Sequence, residues 1–425
     1  MRICHRSGLL GAGIGFFVLA LATVAAADWP QFLGPGGRGQ SKETGLPTTW
    51  DGATGVAWKT DLPGPGASSP VTFDGKIYLT CYTGYGVAES NPDDPAQLQR
   101  HLLCLALQDG KLLWNVAQPS ALKEGAYEGF TALHGYASST PAVDAKAIYV
   151  FYGATGAAAY AHDGRQLWLT SCGTKTHEWG SANSPVLYEE LVIINASVES
   201  GSLIALDKKT GREVWRQAGM DESWSTPALV KTAAGWELVA QVKGKILGFD
   251  PASGKPLWSC QGVDDYVCPS VVAEGDVAYV LGGRRATAIA VRAGGRGDVT
   301  ATHKLWEIKK GTNVPSPVVH EGHVYWAHDS RGAIYCVDAK TGKDAYEERL
   351  EPRAGKIYAS PLVADGKLYY VSRDAGVFVL AAGPEFKLLA HNKIASDTSV
   401  FNGSPAVADG RLLLRSDRAL YCLGK

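Results

Sequence analysis

The chain has 425 residues, 45% of them apolar, and its 41 basic and 42 acidic side chains leave a formal net charge of −1. No run of like charge stands out, so the composition argues against nucleic acid as the main partner. One ordinary hydrophobic core stops growing at about 250–300 residues, so the length indicates several domains or a repeat architecture.

Residues 1–27 have the features of a cleavable secretory signal peptide. Arg2 and Arg6 precede an uncharged stretch from Gly8 to Ala27, whose small final residues come directly before Asp28. An uncleaved anchor is the alternative, since about 20 apolar residues span a bilayer. Cleavage after Ala27 is preferred. No cysteine stands where a lipid anchor needs one, and no later stretch is apolar enough to span a membrane. We therefore expect a periplasmic or secreted protein, and a monomer.

A Pro/Gly-rich extension, residues 28–55, leads into repeats that fill residues 56–425. Each repeat opens with a proline beside Ser, Thr or Cys and continues through a short turn into a β-rich run. The anchor prolines are Pro70, Pro141, Pro185, Pro227, Pro269, Pro317, Pro361 and Pro405, at intervals of 71, 44, 42, 42, 48, 44 and 44 residues. All but the first match four-stranded propeller blades, which repeat every 40–50 residues or so. The first interval is long because it holds two insertions, residues 84–99 and 118–135.

The second half of each repeat reads like ALDKKTGREVW, residues 205–215. The apolar run predicts a third strand, Asp207 and Gly211 predict a tight turn, and Trp215 ends a fourth strand. The tryptophans at this position should hold neighbouring blades together, with Tyr346 replacing one of them. They are Trp114, Trp168, Trp215, Trp258 and Trp306. Six residues before the turn glycine the sequence allows only small residues, at Cys104, Ala158, Ala205, Gly248 and Cys336.

The eighth unit ends after three strands, and a matching fourth strand occurs around Trp58, near the other end of the chain. A ring closed by strands from both ends leaves no open sheet edge. The sequence therefore predicts an all-β fold, an eight-bladed β-propeller of four-stranded antiparallel blades.

Seven cysteines follow the signal peptide, an odd number that leaves at least one unpaired. Cys104, Cys336 and Cys422 occupy small apolar positions and are interpreted as core residues. Two disulfides stay open as possibilities, Cys260 with Cys268 and Cys81 with Cys104. No CxxC motif is present, and no zinc or other metal site is predicted.

The repeat resembles that of the quinoprotein-type, or PQQ-like, β-propellers, and the resemblance extends from about residue 56 to the end of the chain. The stretch WPQFLGPGGRG, residues 29–39, also resembles the start of secreted bacterial propellers similar to BamB. Two functional classes share this architecture. Quinoprotein dehydrogenases hold PQQ and calcium on the propeller axis, whereas BamB-like proteins are non-catalytic scaffolds that bind other proteins. This chain lacks the adjacent cysteines of many alcohol-oxidising members, and their calcium ligands have no matching motif here.

A ligand site is expected where the loops that enter the first strands and the hairpins between second and third strands meet around the axis. These segments are rich in aromatic, acidic and cationic residues, which suit a planar or acidic ligand. Loop polarity and turn formation are the alternative roles for any one of them. The candidates are His134, Tyr136, His177, Glu178, Trp179, Glu199, Glu222, Trp224, Asp265, Tyr266, Arg284, Arg285, Asn313, Arg331, Lys356, Tyr358, Arg373 and Asn402.

The leading functional hypothesis is a non-enzymatic propeller that binds a protein or a cell-envelope ligand on this face, with no cofactor. A PQQ- and calcium-dependent oxidoreductase is the first alternative, and a carbohydrate-binding propeller is the second. An enzyme would need carboxylates around a calcium ion, a scaffold an exposed rim, and a sugar binder exposed aromatic rings.

Overall fold

The computed structural model describes Met1 and residues 28–52, 54–87, 94–122 and 124–424. In this part of the chain the strands form eight sheets, each built on four antiparallel strands and together arranged as an eight-bladed β-propeller, which confirms the predicted fold. The predicted signal peptide lies outside the described residues. Among the residues that are described, no helix has both the length and the apolar character needed to cross a bilayer.

The strands are numbered in chain order. β1 (Val56–Asp61) belongs to the last blade. Blade 1 contains β2 (Val71–Phe73), β3 (Lys76–Thr83), β4 (Gln99–Ala106) and β5 (Leu112–Pro119), and blade 2 contains β6 (Ala142–Val143), β7 (Ile148–Phe151), β8 (Ala157–Tyr160) and β9 (Gln166–Thr170). Blade 3 contains β10 (Val186–Tyr188), β11 (Leu191–Ala196), β12 (Ser202–Asp207) and β13 (Glu213–Ala218), and blade 4 contains β14 (Ala228–Thr232), β15 (Gly235–Val242), β16 (Lys245–Phe249) and β17 (Pro256–Gln261).

Blade 5 contains β18 (Val272–Glu274), β19 (Val277–Gly282), β20 (Thr287–Arg292) and β22 (Lys304–Ile308), while β21 (Gly297–Asp298) joins blade 4. Blade 6 contains β23 (Val318–His320), β24 (His323–Ala327), β25 (Ala333–Asp338) and β26 (Asp344–Arg349), and blade 7 contains β27 (Leu362–Ala364), β28 (Lys367–Val371), β29 (Val377–Ala381) and β30 (Leu388–Asn392). Blade 8 contains β31 (Ala406–Ala408), β32 (Arg411–Arg415) and β33 (Ala419–Leu423). The described loops hold the short helices α1 (Thr131–His134), α2 (Ser197–Ser200) and α3 (Thr300–His303), and the 3-10 turns Pro35–Gly37, Pro95–Gln97 and Gly153–Thr155.

The last blade takes its outer strand from the N-terminal side of the chain, as predicted. β1 pairs with β33 in antiparallel register, with Trp58 opposite Cys422 and Asp61 opposite Ala419. This pairing covers the edge that β33 would otherwise leave open and closes the ring.

A ring of hydroxyl groups surrounds the propeller axis, and each blade contributes one of them. The backbone N–H of each of these residues donates to the hydroxyl of its counterpart in the next blade, over 2.9–3.1 Å. The residues are Ser69, Thr140, Ser184, Thr226, Ser270, Ser316, Ser360 and Ser404. They are buried, so these bonds satisfy backbone groups that water cannot reach.

Blade 5 departs from the predicted anchor pattern by one residue. In the other blades the ring hydroxyl comes directly before the anchor proline, but Ser270 follows Pro269, and Val271 stands where the proline is expected. The hydrogen-bonding hydroxyl, rather than the proline, therefore keeps its place in the ring.

The repeated tryptophans and turn glycines lock consecutive blades together. The Trp168 Nε1–H donates to the Lys208 carbonyl of the next blade at 2.9 Å, and the Trp168 ring lies against Gly211. The same arrangement joins Trp58 to Gly110, Trp114 to Gly164, Trp215 to Gly254 and Trp306 to Gly342. The predicted turn also forms, since the Asp207 carboxylate accepts from the Thr210 N–H at 2.8 Å. The repeated phrase is thus an interlock between neighbouring blades.

The small residue of the third strand pairs directly with the aromatic residue of the fourth. Ala205 lies opposite Trp215 and Cys336 lies opposite Tyr346. In blade 2 the residue opposite Trp168 is Ala159 rather than the predicted Ala158. That turn is one residue shorter than its counterparts, so counting back from its glycine misplaces the position by one.

Replacing Gly211 with alanine is expected to lower the free energy of unfolding by about 2–3 kcal/mol. Gly211 has a φ of +69°, and an added Cβ would lie 2.6 Å from Cδ2 of Trp168. Chemical denaturation of Gly75→Ala is the matched control, because Gly75 has the same φ of +69° but no atom within 4 Å of the added Cβ. Equal losses in the two variants would show that only backbone strain matters and that the ring contact does not.

Blade 4 fixes its tryptophan in a different way. The Trp258 ring lies over Gly248, and its Nε1–H donates to Oε2 of Glu237 at 2.7 Å. The same oxygen accepts from the Gly294 N–H at 3.0 Å, and Oε1 accepts from Arg296 at 2.9 Å. Glu237 is only 2% exposed. This buried carboxylate ties blade 4 to the long loop of blade 5 that also supplies β21.

The N-terminal extension packs against the propeller. It lies on the lower face, defined as the face with the hairpins between first and second strands. Trp29 is buried and exchanges hydrogen bonds with Thr72, and the Ser41 N–H donates to Val363 in blade 7. Phe32 reaches the axis beside the ring hydroxyls. The extension therefore covers the lower end of the axis.

The seven cysteines of the described chain are all unpaired. Cys104, Cys336 and Cys422 are buried core residues, as predicted. Neither candidate disulfide forms. Cys81 lies opposite His101 whereas Cys104 lies opposite Tyr78, so that pair is out of register. Cys260 lies on the outer strand β17, whereas Cys268 lines the axis.

Candidate functional site

A cavity of about 470 Å³ lies on the propeller axis and opens on the upper face, which carries the loops that enter the first strands. Each of the eight entering loops contributes to its wall. The contributors include Ala67, Ser138, Ala182, Trp224, Tyr266, Asn313, Tyr358 and Asn402. Phe32 and the ring hydroxyls lie at its inner end. We call this space the axial cavity, and its position agrees with the face expected from the sequence.

One wall of the axial cavity is aromatic. The Trp179 ring lies 4.9 Å from Trp224 and 4.6 Å from Tyr266, measured between centroids, and Phe130 meets Trp179 at 5.2 Å. The Trp224 Nε1–H donates to the Gly180 carbonyl at 2.8 Å, which fixes its ring. Because Trp224 and Tyr266 are only 5% and 8% exposed, these two rings offer edges rather than open faces to the cavity.

The opposite wall is polar and comes mainly from blades 6 to 8. It includes Asn313, Asp329, Lys356, Tyr358 and Asn402. The Asp329 carboxylate accepts from the Thr312 hydroxyl and the Asn313 N–H, both at 3.3 Å. The Arg373 guanidinium lies 4.7 Å from the centre of the Tyr358 ring, a cation–π distance.

The second blade 1 insertion bridges the mouth of the axial cavity through α1. At its end, the Leu133 carbonyl accepts from Arg373 Nη2 at 3.1 Å and from Asn402 Nδ2 at 2.9 Å. On the other side the Thr131 hydroxyl donates to the Glu178 carbonyl at 2.8 Å. The insertion therefore holds together loops from opposite sides of the ring.

His134, in the same helix, is a fixed structural contact of the mouth. Its Nε2 is 2.9 Å from the Trp179 carbonyl, which only accepts, so Nε2 carries the proton. Nδ1 then accepts from the Ser138 hydroxyl at 2.5 Å. Burial lowers the pKa of His134, which keeps the ring neutral at pH 7.

Half of the predicted site residues line the axial cavity. These are His134, Trp179, Trp224, Tyr266, Arg284, Asn313, Lys356, Tyr358 and Asn402. Arg331 and Arg373 instead line an adjoining cleft of about 620 Å³ between blades 6 and 7, which we call the basic cleft. Its lining also includes Ser330, Arg349, Arg353, Lys356 and Asp374.

The remaining candidates lie away from the cavity wall. His177 packs outside it against Trp179 and Trp224, and Glu178 is exposed. Glu222 forms an exposed ion pair with Lys243, Arg285 lies 3.9 Å from Asp264, and Asp265 accepts from the Arg284 N–H at 2.7 Å. These side chains stabilise their loops, which is the alternative to ligand binding that the sequence leaves open for any one of them.

Tyr136 and Glu199 point into the protein behind the cavity. The Tyr136 hydroxyl donates to the Gly125 carbonyl, and its ring packs on Tyr82. Glu199 is 1% exposed and accepts from the Ser181 hydroxyl, and burial raises its pKa to about 7. Arg100 lies close enough to Glu199 to lower that pKa slightly and forms a buried ion pair of 2.7 Å with Glu124. Tyr136 therefore anchors the insertion, and Glu199 anchors α2.

Several cavity residues were not predicted. Phe130 and Leu133 belong to the insertion, Asp329 to the β24–β25 hairpin, and Phe32 to the extension that the sequence separated from the propeller. Phe130 and Leu133 are three residues apart, a spacing that places two apolar side chains on the same face of a short helix.

The cavity wall does not fit the calcium and PQQ site of quinoprotein dehydrogenases. Among the described wall residues Asp329 is the one carboxylate, and it is engaged with Thr312 and Asn313. In the described chain no three His, Cys, Asp or Glu side chains are placed to hold a metal together. Calcium prefers six to eight or so oxygen ligands with several carboxylates.

Comparisons with known proteins agree with the fold. A family model described as "Outer membrane protein assembly factor BamB" matches residues 99–301 and 295–383. None of the curated protein sequences matches the chain. BamB from Moraxella catarrhalis has a similar structure, with a TM-score of 0.60 and 13% identity, over 87% of this chain and 97% of that one.

Two solved enzymes are similar in structure as well. Quinohemoprotein alcohol dehydrogenase from Comamonas testosteroni has a TM-score of 0.66 and 12% identity, over 94% of this chain and 80% of that one. A europium-containing methanol dehydrogenase has a TM-score of 0.65 and 11% identity, over 94% and 98% of the respective chains. At these identities the likeness shows a shared fold alone.

Proposed function

Because this chain belongs to the β-propeller family of the outer membrane protein assembly factor BamB, we propose that it is a non-enzymatic binding propeller of the cell envelope. Its ligand enters the axial cavity from the upper face. The predicted signal peptide supports this location. N-terminal sequencing of the mature protein tests it, and we expect Asp28 to be the first residue.

The architecture of the axial cavity carries the proposal. Phe32 lies at its inner end, one wall is aromatic, and the other presents amide, hydroxyl and cationic groups. A volume of about 470 Å³ accommodates a small ligand or a few side chains but no folded domain. A protein partner would therefore insert a loop or an extended segment.

The insertion beside the mouth supplies additional contact surface. Leu122 and Tyr127 are each 37% exposed and Phe130 is 50% exposed. Exposed apolar and aromatic side chains next to a polar-rimmed pocket are typical of protein-binding surfaces. These side chains give the second blade 1 insertion an exposed apolar rim beside the cavity mouth.

The alternatives find less support in the cavity. An oxidoreductase requires a calcium ligand set that the wall residues do not provide. A sugar binder requires open ring faces, whereas Trp224 and Tyr266 are buried against neighbouring rings and Arg284 covers Tyr266 at 5.2 Å.

Titration of the mature protein with PQQ in excess calcium tests the non-enzymatic assignment. We expect no saturable quenching of the Trp179 and Trp224 fluorescence, because the wall lacks the carboxylates that would hold calcium beside the quinone. We also expect no dye reduction with alcohols. Saturable quenching accompanied by turnover would overturn the proposal.

Photocrosslinking tests the binding face. Phe130 replaced by p-benzoylphenylalanine should crosslink an envelope protein, and the product should disappear when Trp179→Ala is added. The same photoreactive residue at Val214, which is 53% exposed on the outer strand of blade 3, is the control. Equal crosslinking at both positions would contradict a specific site at the axial mouth.

A further inference from the structure

The basic cleft opens from the mouth of the axial cavity, and Ser330 and Lys356 line both spaces. Five cationic side chains line the cleft against one carboxylate, that of Asp374. The cations are Arg331, Arg349, Arg353, Lys356 and Arg373. The whole chain is nearly neutral, so this charge is a local concentration.

Most of these cations have no counterion in the described part of the chain. No carboxylate there forms a salt bridge with Arg331, Arg349, Arg353 or Lys356. Nearby Lys310, by contrast, pairs with Asp344 at 2.7 Å and with Glu347 at 2.6 Å. Clustered cations without partners create a positive potential that attracts an anionic ligand.

Buried polar atoms where the cleft meets the cavity narrow the ligand's chemistry. Arg373 and Asn402 are 9% and 7% exposed, yet Arg373 Nε and Asn402 Oδ1 have no hydrogen-bond partner among the described residues, and neither does Asn313 Oδ1. A simple oxyanion satisfies the guanidinium but offers no donor to the two amide oxygens. A peptide backbone supplies both N–H donors and C=O acceptors.

We propose that the basic cleft and the axial cavity together bind an acidic peptide segment of a partner protein. Its carboxylates lie along Arg331, Arg349 and Arg353. Its backbone bonds Asn313, Arg373 and Asn402, and one apolar or aromatic side chain enters the cavity against Trp179. This inference rests on the proposed function and states the chemistry of the partner.

Fluorescence anisotropy with a labelled ten-residue peptide, rich in glutamate around a central phenylalanine, tests this inference. The double variant Arg349→Glu/Arg353→Glu should weaken binding about tenfold or more, since both side chains are exposed in the cleft and meet the glutamates. Lys209→Glu/Arg212→Glu is the matched control. It changes the net charge equally at exposed positions of a lower-face turn and should leave the affinity within about twofold.

Two altered peptides separate the parts of the proposal. Exchanging the glutamates for glutamine should abolish the effect of the cleft variant, and exchanging phenylalanine for serine should weaken binding to the wild-type protein. Unchanged binding of either peptide would overturn the corresponding contact. Binding of anionic phospholipid vesicles without binding of the peptide would overturn the proposal in favour of a membrane surface.

The two proposals fail in distinguishable ways. PQQ binding with turnover would remove the non-enzymatic function itself. Peptide binding that Trp179→Ala abolishes but the cleft variant leaves intact would preserve that function and remove only the acidic-peptide inference.

Discussion

Replacing Glu237 with alanine is expected to lower the free energy of unfolding by about 3–4 kcal/mol. The change leaves the buried Trp258 Nε1–H and the Gly294 N–H without an acceptor and opens a void where the carboxylate packed. Glu237→Gln keeps one carbonyl oxygen and should lose about half as much. Urea denaturation followed by tryptophan fluorescence measures both losses.

Arg296→Ala is the control for this prediction. The Arg296 side chain is 55% exposed, so its ion pair with Glu237 should contribute less than about 1 kcal/mol. If Arg296→Ala and Glu237→Ala shift the midpoint equally, the carboxylate matters only as a partner for arginine, and its role in holding Trp258 is wrong.

Raising the pH from 5 to 8 is expected to destabilise the wild-type protein by about 2.5 kcal/mol more than the Glu199→Gln variant. Burial raises the pKa of folded Glu199 to about 7, whereas the carboxyl of the unfolded chain keeps its ordinary pKa of 4.5. The folded protein therefore holds this proton more tightly. The resulting stability is complete below pH 4.5 and is lost as the pH rises through 7.

Denaturation midpoints at pH 5, 6, 7 and 8 measure this difference. Glu178→Gln is the matched control, because it makes the same exchange at an exposed glutamate near the same loop without removing a buried carboxyl group. Parallel profiles for wild type and Glu199→Gln would show that Glu199 titrates normally in the folded protein.

The blade architecture could be predicted because it is written in repeats of local pattern. Each turn such as Asp207 to Gly211 forms within its own hairpin, so sequence spacing is sufficient to place it. The strand around Trp58 could be assigned to the last blade because the eighth unit lacked one. The hydroxyl ring was missed, since its bonds join residues about one blade apart and depend on their packing around the axis.

The sequence predicts which face of the propeller carries the candidate site, but it does not predict which side chains line the cavity. Trp179, Trp224 and Tyr266 lie where their loops indicated, but Tyr136 and Glu199 turn inward. The direction of a loop side chain depends on what packs over it. At Glu199 it follows from the neighbouring Ser181, and at Tyr136 from the insertion carbonyl of Gly125. No periodic pattern encodes those contacts.

The pairing of β1 with β33 also determines when the ring can close during synthesis of the chain. The ribosome synthesises the N-terminal side of the chain first, so Val56–Asp61 exists long before Ala419–Leu423. The interval is tens of seconds at a synthesis rate of about 5–20 residues per second. During that interval the strand is an unpaired edge whose charged Lys59 and Asp61 discourage pairing with other chains. A variant that lacks Ala419–Leu423 would therefore lose the pairing that closes the whole ring, so this strand decides whether the preceding seven blades close.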